Sequence, residues 1–282
     1  MNEEQISILE RIQASYYQLT TAERKVADYV LSHPAQVQFM SITQLADECG
    51  TADATVSRFC RCLKLKGFNA FKMELARFSA GSRETKEELP FDTLPGRNQQ
   101  IAKLAVDAVN QTIELVSEEN VKQCVDLLEK AGRVLCFGAG GSMLMAKEFA
   151  HLFSNVTPKF AAVSDYHMQM IAAAGMGVND VMVLFSYSGA TTQGIQELEL
   201  ARNKGVKTIL ITRFNKSPAA NLADIVLSCG SNEGPFQFGS VPAKIAQLIV
   251  MDVLFQEYCA RNPENCEKNT EAIAAALSNL HM

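Results

Sequence analysis

The stretch Val181-Met182-Val183-Leu184-Phe185-Ser186-Tyr187-Ser188-Gly189-Ala190-Thr191 runs directly into Thr192-Gln193-Gly194-Ile195-Gln196-Glu197-Leu198. Its first part is a continuous, β-branched apolar run bounded by Asp180 and a Ser/Gly cluster, the pattern of a buried parallel strand. Its last part reads as the opening of an amphipathic helix. A strand that turns through Ser-x-Ser-Gly-x-Thr into a helix builds a small anion site. Backbone amides at the helix N-terminus and three hydroxyls converge there, and the helix dipole favours negative charge. The loop holds no lysine, unlike a P-loop, so the expected guest is a single phosphate group rather than a nucleoside triphosphate. The plainer alternative is an ordinary connection with Ser and Thr as caps.

On either side of this stretch, strands alternate with helices: Arg133–Phe137, Pro158–Val163, Val181–Phe185, Val206–Ile211 and Ile225–Leu227. Such alternation predicts a five-stranded parallel, doubly wound sheet with right-handed crossovers, whose ligands bind beyond the carboxyl ends of the strands at the topological switch. The first strand ends in Gly138-Ala139-Gly140-Gly141-Ser142-Met143. A dinucleotide fingerprint needs glycine where Met143 stands, so NAD binding is not expected and no cofactor is assigned.

With 282 residues the chain has room for two domains. Its 48% hydrophobic and 20% charged residues are ordinary for a soluble globular protein. The start Met1-Asn2-Glu3-Glu4 is acidic, unlike a signal peptide, and no 18-residue apolar run occurs, so a cytoplasmic location without membrane contact is expected. Eight cysteines form no Cys-x-x-Cys pair and the four histidines are scattered, so no metal site is expected and the cysteines read as reduced core residues.

Charge is uneven. The chain carries a net −5, yet Thr55–Arg77 holds Arg58, Arg61, Lys64, Lys66, Lys72 and Arg77 against Glu74 alone. One short basic stretch in an acidic protein points to a local polyanion-binding surface. Thr20-Thr21-Ala22-Glu23 is a capping box opening a helix that stops near His33-Pro34. Ser41–Cys49 makes a second short helix ended by Gly50. A third begins around Asp53, with Val56, Phe59, Cys60 and Leu63 on its apolar face. Thr55, Ser57, Arg58, Arg61 and Lys64 are placed largely on its outer side. Two short helices joined by a tight turn with glycine make a helix-turn-helix, whose second helix reads the DNA groove. Hydroxyls suit base edges and arginines suit phosphates or guanine. Gly67-Phe68 interrupts the pattern before a closing helix from Phe71 to Phe78. The candidate DNA contacts are Thr55, Ser57, Arg58, Arg61, Lys64, Lys66 and Lys72.

The run Ala54-Thr55-Val56-Ser57-Arg58-Phe59-Cys60-Arg61, with Lys66-Gly67-Phe68 and Phe71-Lys72 after it and Thr21–Val30 before it, resembles the N-terminal domain of RpiR-family bacterial transcriptional regulators. The Ser-x-Ser-Gly-x-Thr loop is similar to that of the SIS (sugar isomerase) domain forming the family's C-terminal half. The resemblance implies two domains: an all-α helix-turn-helix bundle over 1–79, a polar Gly/Pro-containing linker over 80–96, and an α/β SIS domain over 97–282. It departs at Ala52, where the recognition helix usually opens with a serine cap, leaving Thr51 or Asp53 to cap at a cost of about 1 kcal/mol if uncompensated.

By that resemblance Ser142 contacts a sugar, Ser186, Ser188 and Thr191 grip its phosphate, and Tyr187 helps through its backbone amide. Gly140 and Gly189 shape the two loops, and Lys244 stands where many family regulators carry Arg. The expected partners are a double-stranded DNA operator, a phosphorylated sugar effector, and further copies in a homodimer or homotetramer. The pairing surface is expected on the last long helix (Ile245, Leu248, Ile249, Val253, Leu254). SIS domains also occur in aldose–ketose isomerases, which is the alternative reading. Such chemistry needs a base, and Asp165, His167 and Glu233 are the residues within reach of that role. A protein-only regulator whose N-terminal half meets a protein is a further alternative.

Overall fold

The computed structural model describes residues 7–81, 93–231 and 240–278. The chain divides into two compact units at Lys103–Leu104. The first is helical. Helix α1 (Ile8–Ser15) opens with a capping box in which Ser7 and Glu10 satisfy each other's backbone amides. A 3-10 turn at Tyr16–Gln18 leads to α2 (Thr21–Ser32), started by the Thr20/Glu23 capping box. Then come α3 (Pro34–Val37), α4 (Ile42–Glu48, capped by Ser41 with Gln44), α5 (Asp53–Cys62) and α6 (Phe68–Gly81). Ile12, Val26, Val30, Leu45, Val56, Phe59, Phe71 and Leu75 are fully buried in one core. Phe59 of α5 meets Phe71 of α6 edge-on, with centroids 5.5 Å apart. Each such side chain stabilises the bundle by about 1.5–3 kcal/mol through removal of apolar surface from water.

Two expectations change here. The closing helix begins at Phe68, directly after Gly67, so the glycine marks its start rather than a break. Ala52 is itself the N-cap of α5, with no side-chain cap hydrogen bond. Neither neighbour caps the helix by its side chain; the Asp53 carboxylate instead accepts from Thr43 of α4 at 2.8 Å, which ties the two helices together. The expected linker over 80–96 lies mostly outside the described residues.

Helix α7 (Leu94–Leu115) crosses the unit boundary, and α8 (Glu118–Lys130) precedes the sheet. The order then runs β1 (Arg133–Gly138), α9 (Gly141–Ser154), β2 (Phe160–Ala162), α10 (Tyr166–Gly175), β3 (Asp180–Phe185), α11 (Thr192–Asn203), β4 (Lys207–Thr212), β5 (Ile225–Ser228), α12 (Val241–Arg261) and α13 (Pro263–Ser278). All pairings are parallel, in the spatial order β2-β1-β3-β4-β5. Alternation along each strand sends residues to two different cores. Val134, Cys136, Val181 and Val183 join α8, α9 and α12 on one face. Leu135, Phe137, Met182 and Leu184 join α10 and α11 on the other.

The strand order reverses direction between β1 and β3, so the switch crevice lies at their carboxyl ends. Gly138 and Phe185 are register partners, and the loops that follow them therefore leave the sheet side by side.

Of the α12 positions expected to pair, Ile245 and Ile249 are half-buried. Leu254 is fully buried, Val253 packs against the same core, and Leu248 is 39% exposed. Cysteines 49, 60, 124, 136, 229 and 266 are buried, Cys259 is half-buried and Cys62 is exposed. Burial pushes the Cys60 and Cys124 thiols up to about 12, where they act as small apolar residues rather than nucleophiles. Among the described residues no helix is long and apolar enough to cross a membrane.

Candidate functional site

The loop after β3 is built to hold one shape. Ser186 is buried, and its amide donates to Ile211 O of β4 at 3.1 Å. The amide of Gly189 closes a turn onto Ser186 O at 3.0 Å. Gly189 has φ of +59°, a region glycine adopts without penalty. A Cβ there would lie 2.1 Å from Ser217 Oγ, so the glycine is also a steric requirement. The Ser188 hydroxyl accepts from the Ala190 amide at 3.3 Å. Thr191 is the N-cap of α11, yet its side chain makes no cap hydrogen bond. Its hydroxyl lies 3.4 Å from that of Ser186. The structure therefore brings the Ser186 and Thr191 hydroxyls together at a helix N-terminus, where the first backbone amides lack intrahelical partners and can receive an anion.

Tyr187 differs from its neighbours. Its phenol donates to Ser231 O at 2.5 Å and its ring stands edge-on to Phe214 at 6.2 Å. The side chain thus anchors the loop, while its backbone carbonyl accepts from Arg213 N and from Thr212 Oγ1.

Beside this loop, Gly138-Ala139-Gly140-Gly141-Ser142 follows β1. A Cβ on Gly138 would lie 2.8 Å from the Ser142 carbonyl carbon and oxygen, so the turn closes only on glycine. Gly140, with φ of +55°, is the N-cap of α9, and Ser142 sits half-buried in its first turn. Met143, at the position where a dinucleotide site has glycine, is buried. Lys244 is half-buried in the first turn of α12.

Of the three residues considered for a base, Asp165 N-caps α10 by accepting from Met168 N at 3.0 Å, and His167 is exposed in the same helix turn. Glu233 lies outside the described residues. Sequence reasoning missed a buried polar chain behind the two loops, made of Gln169, Gln193 and Glu197. A local signal existed for Glu197: helical spacing places it between Gly194 and Ala201 on the inward stripe of α11.

In the helical unit, Arg58, Arg61 and Lys66 are exposed and Ser57 is half-buried. Thr55 is 5% exposed, contrary to the outward placement read from the sequence. It faces the core beside Val56 in the first turn of α5, and its hydroxyl accepts from Arg58 at 3.1 Å. Lys64 lies beyond the end of the helix. It follows the C-cap in the left-handed conformation, φ 58°, and is exposed in the turn leaving α5. Lys72 is half-buried; its ammonium donates to Met40 O at 3.2 Å and lies over the Phe68 ring. It holds α6 to the segment before α4, a structural task that competes with reaching DNA.

Comparison with known proteins matches the helix-turn-helix domain of the rpiR family over residues 6–82 and the SIS domain over residues 127–256. An HTH-type transcriptional regulator of Caldanaerobacter subterraneus subsp. tengcongensis is 31% identical over 253 residues, covering 89% of this chain and 88% of that protein. One from Bacillus subtilis is 29% identical over 274 residues, covering 96% and 97%. Among solved structures, the Vibrio vulnificus NanR protein complexed with ManNAc-6P aligns with a TM-score of 0.88 at 26% identity, covering 97% of this chain and 99% of that one. The sugar isomerase domain of an RpiR transcription factor from Sphaerobacter thermophilus shares the fold, with a TM-score of 0.59 at 22% identity over 64% of this chain and 98% of that one.

Proposed function

Because this chain belongs to the rpiR family of HTH-type transcriptional regulators, we propose that it binds an operator through α5 and is controlled by a phosphorylated sugar held between the loops after β1 and β3. The observation that carries the effector assignment is the pair of hydroxyls, Ser186 and Thr191, 3.4 Å apart at the N-terminus of α11 beside the Ser142 loop. These two hydroxyls, with that of Ser188 and the helix amides, are the donors proposed for the acceptor oxygens of one phosphate. NanR, which aligns along nearly this whole chain, was solved with ManNAc-6P. That favours amino-sugar 6-phosphates as the first ligands to try. Gly140, Ser142 and Lys244 line the sugar side in this reading, and Ser186, Tyr187, Ser188, Gly189 and Thr191 the phosphate side.

On the DNA side, Arg58 and Arg61 are exposed on α5, with half-buried Ser57 directly before Arg58 and Lys64 and Lys66 following the helix. A two-fold operator needs two reading heads, so the working form is a homodimer or homotetramer. Exposed Ile101, Val106 and Ile113 on α7 and Met168 and Ile171 on α10 favour self-association. Effector binding acts by population shift, changing how the SIS domains pair and hence the spacing of the helix-turn-helix units. The cytoplasm is the compartment in which operator and sugar phosphate meet.

The test is fluorescence anisotropy on a labelled operator fragment, titrated with a panel of hexose, amino-sugar and pentose phosphates. One member of the panel is expected to change operator affinity about fivefold or more, the range of ordinary allosteric coupling. Operator binding that ignores every phosphorylated sugar refutes the effector assignment. Steady interconversion of a panel member, followed by NMR, establishes the isomerase alternative instead.

A further inference from the structure

Glu197 is fully buried on α11, and its Oε2 has no hydrogen-bond partner. A buried carboxyl with an unpartnered oxygen is costly to ionise. Its Oε1 accepts from Gln193 Nε2 at 3.0 Å. The same Gln193 nitrogen donates to Gln169 Oε1 at 2.9 Å. Gln169, also fully buried, donates from Nε2 to Gly138 O at 3.0 Å and to Val163 O at 2.7 Å.

The direction of this chain is forced. Gln169 must turn its amide nitrogen to the two carbonyls, which leaves its oxygen facing Gln193. Gln193 must then present its nitrogen, whose two hydrogens are shared between Gln169 and Glu197. One end of the chain holds Gly138, where the β1 loop begins. The other holds Gln193, two residues after the Thr191 cap of the β3 loop. We propose that Gln169, Gln193 and Glu197 are positioning residues that lock the β1 loop to the β3 loop, with the protonation state of Glu197 setting how tightly the lock holds.

Burial pushes the Glu197 carboxyl up from 4.5 to about 7, against the lowering effect of the Gln193 hydrogen bond. The group is thus neutral below neutrality and becomes a buried, half-satisfied charge above it. Charged and titratable groups on the packed elements do not offset this. Glu199 and Arg202 on α11, Asp165 and His167 on α10, and Lys207 on β4 are exposed, and Asp180 at the start of β3 is bound to Arg133. Ionisation therefore places an uncompensated buried charge at the end of the chain that joins the loops. The positioning role rests on the phosphosugar reading for its purpose, but not for its test.

The test is amide hydrogen exchange on the ligand-free full-length protein at pH 6 and pH 8, each rate compared with that of Glu197→Gln at the same pH. That comparison cancels the intrinsic pH dependence of exchange. The reporters are the Ser142 and Met143 amides, which bond to Ala139 O and Gly140 O and lie on a different element from Glu197. Their protection in wild type relative to the variant should fall about fivefold or more between pH 6 and 8. Gln193→Met, which removes the linking donor, should abolish that fall while leaving the pH dependence of melting that belongs to Glu197. A ratio that stays flat, or a fall spread evenly over the whole sheet unit, overturns the proposal. Calorimetry with ManNAc-6P and with inorganic phosphate forms the second arm. The wild-type to Glu197→Gln affinity ratio cancels the ionisation of the phosphate, and it should fall over the same pH span. The exchange result with no binding of either probe keeps the positioning role and counts against the ligand. Tight binding with a flat exchange ratio does the reverse.

Discussion

Gly189→Ala isolates the backbone geometry on which the phosphate loop depends. The new Cβ would sit 2.1 Å from Ser217 Oγ, 2.7 Å from Ser217 Cβ and 3.2 Å from Thr212 Oγ1. Ser217 has little freedom to retreat. It is fully buried, its Oγ accepts from Ala220 N at 3.3 Å, and its carbonyl accepts from Asn221 N at 3.2 Å. The loop is pinned as well, since Gly189 O accepts from Ala219 N at 2.9 Å. Holding alanine at positive φ costs about 1–2 kcal/mol, and overpacking adds about 1–3 kcal/mol. A loss near 3 kcal/mol should lower the melting temperature of a unit this size by roughly 6–12 °C. Calorimetric melting of wild type, Gly189→Ala, Ser217→Gly and the double variant separates the two contributions. Ser217→Gly should recover the overpacking part in the Gly189→Ala background and leave the dihedral part. Melting of Gly189→Ala within about 2 °C of wild type, or the same loss whether or not Ser217 keeps its side chain, refutes the reasoning.

Three further outcomes are expected. Arg58→Ala or Arg61→Ala should each weaken operator binding by about 1–3 kcal/mol where the side chain reads a base, with stability nearly unchanged because both are exposed; unchanged anisotropy for both removes α5 from the DNA. Ser188→Ala should weaken the effector about tenfold or more, since a hydrogen bond to a charged group contributes about 1.5–3 kcal/mol, while effector-free operator binding stays close to wild type. Asp180→Asn should flatten the acid limb of the stability profile. Hydrogen bonds from Arg133, aided by the Gly177 amide and opposed by desolvation, hold the Asp180 carboxyl below its ordinary value. Its stabilisation is therefore full above about pH 4, the unfolded value, and disappears as pH falls through the depressed folded one. Urea midpoints from pH 3 to 7 check the sign, and an identical acid limb in both proteins contradicts it.

Much of the fold was legible because its signals are local. The apolar run at Val181–Leu184 is short, β-branched and bounded by Asp180 and a Ser/Gly cluster, the pattern of a strand covered on both faces. The Thr20/Glu23 box and the Ser41 cap each satisfy amides within three residues. The same signal in Ser7-Ile8-Leu9-Glu10 marks α1. Where the reading of the site failed, the deciding interactions were tertiary. Thr55 is outward by helical spacing alone, but it is buried in the fold and its hydroxyl accepts from Arg58 of the same helix. Lys72 belongs to the basic stretch by count, yet a carbonyl of Met40, 32 residues away, captures its ammonium. Tyr187 sits between two serines in sequence and turns instead to Ser231. The chain from Gln169 to Glu197 joins α10 and α11 to the end of β1, and no spacing rule connects those elements.

Isothermal calorimetry on the full-length protein, with each sugar phosphate of the panel paired with the same sugar lacking its phosphate, tests the effector site most directly. The proposed site offers the Ser186 and Thr191 hydroxyls and the helix amides to one phosphate. At least one phosphorylated member should therefore bind, and removing its phosphate should weaken binding about 100-fold or more. Equal affinity for the phosphorylated and plain forms of every sugar that binds would contradict the assignment of the Ser186–Thr191 loop.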